Sequence, residues 1–244
     1  MNRKETVGFE TSCIHAAGEY ESEIGAISAP IYQTTTFGFP DVETAARRFS
    51  GEEKGYVYSR LRNPTTEAFE KVIARLESGE SAVATASGMA AISMALLSVV
   101  RPGDRIVSSR TVYGGTHSLF EGMLKDLGIS VSYVDGRDPE SFEVASDPQV
   151  KVVYVESPAN PNLCVVDLGR AAEVARECHA LLMVDNTFAT PYFQKPLTLG
   201  ADVVVHSATK YIGGHGDAMG GIIVGSEDFT TSVRQGPLKQ FGAL

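Results

Sequence analysis

From about residue 80 the chain alternates short β-branched runs with amphipathic stretches. Seven runs are expected as strands: Ser81–Thr85, Arg105–Ser108, Ile129–Val134, Lys151–Glu156, Leu181–Asp185, Asp202–His206 and Gly221–Val224. Several are apolar without alternation, as parallel strands covered on both faces are. The segments between them read as helices. In Asp167–His179, Leu168, Ala171, Ala172, Ala175 and Cys178 share one face, and Asp167 is placed to cap the N-terminus. Asn63-Pro64 opens another helix, with Phe69, Val72, Ile73 and Leu76 as its apolar stripe; Pro64 suits the first helical position and Gly79 the stop. This alternation predicts an α/β fold: an open, mostly parallel seven-stranded sheet with helices on both faces. Residues 1–62 lack the alternation and contain turn formers such as Phe37-Gly38-Phe39-Pro40. They are expected to form an extended N-terminal arm, of the kind that packs on a neighbouring subunit, with the α/β domain occupying 63–244.

Composition narrows the function classes. Hydrophobic residues make up 43% and charged residues 21% of the 244, which suits a globular protein and not a disordered one. Net charge is −9 with no basic run, so nucleic acid and anionic membrane surfaces are poor partners. The longest apolar stretch, Met89–Val100, holds two serines and is too short to span a bilayer, and the N-terminus lacks the apolar core of a secretory signal. Cys13, Cys164 and Cys178 spell neither a disulfide framework nor a metal site, which points to a reducing cytoplasm.

Candidate chemistry collects at strand ends. His206-Ser207-Ala208-Thr209-Lys210 follows an apolar strand, so Lys210 should sit at the carboxyl edge of the sheet, where open α/β sheets place ligands. Burial there would favour the neutral amine needed to attack an aldehyde, although a surface lysine after a strand is the plainer reading of this segment alone. Asp185 changes the balance. It ends its own apolar run one β–α–β crossover earlier, so a parallel sheet puts both residues on one edge. A carboxylate there can keep the pyridine nitrogen of pyridoxal phosphate (PLP) protonated while the lysine holds its aldehyde carbon. Ala86-Ser87-Gly88-Met89 opens a helix whose N-terminal N–H groups suit a phosphate, with Ser207 and Thr209 able to donate from the other side. Tyr113, beside Gly114 and Gly115, could stack on a ring or relay a proton, or simply fill a crevice. Tyr58 and Arg60 offer a hydroxyl and a guanidinium fork to a phosphate, although an exposed arm arginine is an equally plain reading. There is no His-Glu-x-x-His, Gly-x-Ser-x-Gly or paired Cys-x-x-Cys motif, and no metal site is expected.

Taken together, six segments resemble the Cys/Met-metabolism family of PLP enzymes, which includes methionine γ-lyases, cystathionine γ-synthases and γ-lyases, and O-acylhomoserine sulfhydrylases. They are Tyr58–Thr65, Ala86–Met89, Val112–Thr116, Glu156–Pro161, Val184–Thr187 and His206–Tyr211, in the family's order. The resemblance implies a fold type I PLP-dependent architecture. It implies Lys210 as the Schiff-base lysine, Asp185 as the partner of the ring nitrogen, and Gly88, Met89, Ser207 and Thr209 as phosphate ligands. Tyr113 would stack on the ring and protonate the leaving group, and Asn160 would lie beside the 3′-oxygen, supported by Glu156. Tyr58 and Arg60 would reach the phosphate of a neighbouring subunit, in a homodimer or a homotetramer.

The implied activity is γ-elimination from methionine or cystathionine, giving 2-oxobutanoate, ammonia and a thiol. The alternative is γ-replacement by a thiol on a sulfur amino acid or O-acylhomoserine. Phe37–Glu43 looks like a methionine γ-lyase arm, whereas Gly115 stands where methionine γ-lyases typically carry cysteine. The family's small C-terminal domain, with its carboxylate-binding arginine, has no counterpart before Leu244, so a chain that binds cofactor with little turnover is a further expectation.

Overall fold

The computed structural model describes residues 8–16, 26–138, 140–142 and 147–244. All seven expected strands form, each end within one residue of its expected place: β1 (Ser81–Thr85), β2 (Arg105–Ser109), β3 (Ser130–Val134), β4 (Val150–Glu156), β5 (Leu181–Asp185), β6 (Val203–His206) and β7 (Gly221–Gly225). They build one sheet in the order β1-β7-β6-β5-β4-β2-β3. The block β3-β2-β4-β5-β6 is parallel throughout, and β7 runs antiparallel to β6 and β1. The sheet is thus mostly parallel, as the unalternating apolar runs predict.

Alternate residues of the same strands feed different cores. Val152, Tyr154, Met183, Val203 and Val205 face the apolar helix α4 (Gly88–Val99). Val153, Val155, Leu182 and Val184 pack under α6 (Leu168–Glu177), while Val204, Ile222 and Val224 pack under α3 (Pro64–Glu77). Asp167 caps α6 by accepting from the Arg170 N–H. Among the described residues no helix is long and apolar enough to cross a membrane.

Helix α3 starts as its sequence suggests and ends differently. Asn63 Oδ1 accepts from the Thr65 N–H, and its Nδ2 donates to the Tyr32 carbonyl and Ser59 Oγ, tying the arm to the helix. At the other end the left-handed residue is Ser78 (φ 63°), not Gly79. The Ser78 N–H donates to the Arg75 carbonyl and the Gly79 N–H to that of Ala74, a Schellman pairing. Gly79 is there for space: a Cβ on it would lie 2.4 Å from Val224 Cγ1.

The arm is irregular over most of 26–41, but it also carries α1 (Phe9–His15) and α2 (Val42–Ser50). Val42, Ala45, Ala46 and Phe49 share one face of α2 at i, i+3, i+4 and i+7, so its period was in the sequence and went unread, although Val42 is 80% and Phe49 71% exposed in the fold. The capping signal was also present: Asp41 accepts from the Thr44 N–H, and Gly51 closes the helix at φ 82°. Ser78→Gly is expected to leave stability within about 1 kcal/mol of the parent, since it relieves the left-handed residue but loosens the unfolded chain. Gly79→Ala should cost about 1–3 kcal/mol through overpacking. Urea unfolding checks the pair, and the reverse order would contradict these roles.

Candidate active site

The in-register parallel ladder pairs Glu156 with Asp185 and Asp185 with Val205, so β4, β5 and β6 end level. A cleft of about 210 Å³ opens at this edge. Eight of the ten candidate residues line it: Gly88, Met89, Tyr113, Asn160, Asp185, Ser207, Thr209 and Lys210.

Asp185 is buried at the cleft floor. Its Oδ1 accepts from the Thr187 N–H at 3.0 Å and its Oδ2 from the Tyr154 hydroxyl at 3.4 Å. Burial raises its pKa above the ordinary aspartate value, while the Thr187 hydrogen bonds, the His206 charge and the Tyr154 hydroxyl oppose the rise. Tyr154 is itself fully buried, and burial together with the Asp185 charge holds its phenol protonated as a donor. Lys210 shares the cleft but stands exposed on the turn after β6. The burial expected to favour its neutral amine is therefore not provided by its own strand, because the chain leaves the sheet three residues before the lysine.

The opposite wall is built by close approach. Gly88 opens the twelve-residue helix α4, with Ser87 Oγ capping by accepting from the Ala90 N–H. A Cβ at Gly88 would lie 2.6 Å from Ser207 Cβ and 2.9 Å from Ser207 Oγ, so only glycine lets the helix N-terminus and the β6 turn meet. The Ser207 N–H donates to Thr187 Oγ1. Thr209 lines the cleft too, but its hydroxyl donates to the Gly220 carbonyl and accepts from the Gly220 N–H, so it also braces the turn.

Tyr113 precedes α5 (Gly114–Leu119) and is 46% exposed at the cleft. Its N–H donates to Glu156 Oε2 at 2.6 Å, and the Asn160 N–H donates to Glu156 Oε1 at 2.8 Å. A Cβ at Gly115 would lie 2.5 Å from Tyr113 Cε1 and 3.0 Å from Met89 Sδ, so the glycine permits the observed ring position. Burial first, and the Asp185 charge second, push Glu156 up to about 7, against the pull of the two N–H bonds.

Tyr58 and Arg60 do not join this cleft. Arg60 stacks over the Tyr58 ring at 5.5 Å, and its Nη1 donates to the Lys239 carbonyl. On the sheet's other face, His206 Nε2 meets Glu77 Oε1 at 2.6 Å with both side chains fully buried. Asn186 Nδ2 donates to the same Glu77 oxygen, and Gln194 Nε2 links Asn186 to the Ser157 carbonyl. This network ties together the ends of α3, β4, β5 and β6.

Residues 10–243 match the Cys/Met metabolism PLP-dependent enzyme family. The chain belongs to this family. It is 46% identical over 240 residues to an L-methionine gamma-lyase of Treponema denticola, covering 96% of this chain and 59% of the relative. It is 47% identical over 226 residues to a homocysteine synthase of Schizosaccharomyces pombe, covering 92% and 53%. A Campylobacter jejuni structure, assigned as an O-acetylhomoserine (thiol)-lyase with a pyridoxyl-lysine phosphate, superposes with a TM-score of 0.88 at 36% identity, covering 93% of this chain and 56% of that one. The crystal structure of metB from Corynebacterium glutamicum gives 0.90 at 38% identity, covering 98% and 61%. The chain thus spans less than two thirds of the length of these relatives.

The cleft of this family member suits PLP chemically. The glycine-enforced contact at Gly88 leaves a helix N-terminus and the Ser207 hydroxyl at one end for an anion, and a buried carboxylate waits at the other. A protonated ring nitrogen is the kind of partner that offsets the burial of Asp185. Reading from sequence missed Tyr154, which looks like one more core residue in an apolar strand, and it also missed the bracing role of Thr187. The signal for Thr187 was its position two residues after a strand-end aspartate, where its N–H turns back onto the carboxylate.

Glu156 supplies a pH test. Its folded value of about 7 lies above the ordinary 4.5, so the folded state keeps a proton that the unfolded chain gives up. The associated stability is present in full below about 4.5 and is lost as pH rises to about 7, with a slope of at most about 1.4 kcal/mol per pH unit. Urea unfolding from pH 5 to 8 should show this decline relative to Glu156→Gln. Parallel profiles for the two proteins would contradict it.

Proposed function

We propose that this chain carries the cofactor half of a PLP-dependent carbon–sulfur γ-lyase acting on methionine or cystathionine. The single observation that supports the reading best is the convergence of Asp185, Lys210 and Tyr113 on one cleft whose far wall is the Gly88–Ser207 contact. Bound there, PLP supplies an electron sink next to the substrate's α-carbon.

The chain's own groups do the rest. Gly88, Met89 and Ser207 hold the phosphate, with Thr209 contributing once its hydroxyl turns from Gly220. Asp185 keeps the ring nitrogen protonated. Tyr113 and Asn160, which line the cleft, would cover the ring and border its 3′-oxygen. The Lys210 amine would hold the cofactor through its aldehyde carbon and, once freed by substrate, would serve as the base for the α-proton. Having passed the α-proton on to the cofactor, the Lys210 amine would take the β-proton, while the Tyr113 hydroxyl would protonate the departing sulfur. Hydrolysis then gives 2-oxobutanoate and ammonia.

Tyr58 and Arg60 lie away from their own chain's cleft, which supports their proposed reach to the phosphate of a second copy in a homodimer or tetramer. In the same reading residues 63–244 form the cofactor domain and 1–62 the arm between subunits, and the protein works in the cytoplasm. A second reading, γ-replacement on O-acylhomoserine, is favoured by Gly115, which lets the Tyr113 ring and Met89 close over the position where methionine γ-lyases typically place cysteine.

Incubation with PLP and L-methionine or L-cystathionine should give 2-oxobutanoate and ammonia without added thiol. A thioether or homocysteine formed only from O-acetylhomoserine with a thiol or sulfide would select the second reading. Cofactor binding without any product would mark a chain that needs further residues for turnover. Lys210→Ala should abolish the bound cofactor's visible absorbance and the turnover, and Tyr113→Phe should lower kcat by about 10²–10⁴-fold. Undiminished turnover in Lys210→Ala would overturn the assignment.

A further inference from the structure

Glu156 is buried at the end of β4, and each of its carboxylate oxygens serves a different loop. Oε2 accepts from the Tyr113 N–H before α5, and Oε1 accepts from the Asn160 N–H after β4. The β4–β5 ladder sets Asp185 directly beside it on the same face of the sheet. The other titratable groups around this pair are the Tyr154 phenol on β4, the Tyr113 phenol above the cleft, Lys210 on the β6 turn, and His206 acting on Asp185. Burial first, and the neighbouring Asp185 charge second, drive Glu156 to hold a proton near neutral pH.

A carboxylate can accept fully at both oxygens, whereas a protonated carboxyl keeps one good acceptor and turns the other into a hydroxyl. We propose that Glu156 is a positioning residue that locks the Tyr113 loop to the Asn160 loop only as a carboxylate, so that taking up one proton frees one loop and weakens the cofactor cleft. The proposal rests on the cofactor occupying this cleft with its cationic ring nitrogen on Asp185. That pairing offsets the Asp185 charge felt by Glu156, the second cause of its raised pKa after burial, so cofactor binding and loss of the Glu156 proton favour each other.

The test compares PLP affinity of the wild type and Glu156→Gln from pH 6 to pH 8; using their ratio cancels the cofactor's own titrations. Glutamine can accept from only one of the two N–H groups, at any pH. The variant should therefore bind about tenfold more weakly than wild type at pH 8 and about equally at pH 6. A ratio that stays constant with pH would mean that Glu156 only packs, and would overturn the proposal. Amide hydrogen exchange of the cofactor-free wild type needs neither the variant nor PLP. Protection at the Tyr113 and Asn160 N–H groups, corrected for intrinsic rate and referred to the core amide of Val153, should rise severalfold between pH 6 and 8. Protection that does not change would overturn the clamp even if PLP binds. A wild type that fails to bind PLP while this protection rises would instead overturn the placement of the cofactor and leave the clamp standing.

Discussion

The arrangement depends on three parallel strands ending level. Because β4, β5 and β6 run in register, residues far apart in the chain arrive at one edge: Glu156, Asp185, and the turn carrying Ser207, Thr209 and Lys210. Slipping one strand by a single residue would turn its terminal side chain to the opposite face. The network of Glu77, Asn186, Gln194 and His206 opposes such movement by bonding the same strand ends from the far side of the sheet. The cleft on one face is thus braced by buried polar contacts on the other.

Electrostatics gives this edge its character. Asp185 sits where burial alone would disfavour its charge, and hydrogen bonds from Thr187 and Tyr154 offset part of that penalty. Glu156 beside it spends both of its oxygens on loop backbone. The site holds two carboxyl groups side by side, and among the described residues no cation is bonded directly to either, an arrangement suited to receiving a positive ring nitrogen.

Much of this was legible in the chain. Buried parallel strands announce themselves as unalternating β-branched runs, and strand-end Asp185 and Lys210 at crossover spacing fix which edge matters. Residues whose roles depend on distant partners were not legible. Ser78, rather than Gly79, takes the left-handed conformation, and Gly79 instead makes room for Val224, a neighbour that only the fold brings there. Helix α2 was legible both in its caps and in the helical spacing of Val42, Ala45, Ala46 and Phe49, even though Val42 and Phe49 end up exposed. Lys210 lies on an exposed turn beyond the strand, where proximity to apolar sequence did not mean burial. Nothing in an apolar strand marks Tyr154 as the donor beneath Asp185, since only the fold brings that hydroxyl to that carboxylate.

The most direct measurement is chemical trapping. The protein is incubated with PLP, reduced with borohydride, digested and mapped by mass spectrometry. The expected result is one phosphopyridoxyl group on the peptide bearing Lys210, with labelling greatly reduced in Asp185→Ala. Labelling spread over surface lysines, or confined to a lysine outside the cleft, would contradict the account.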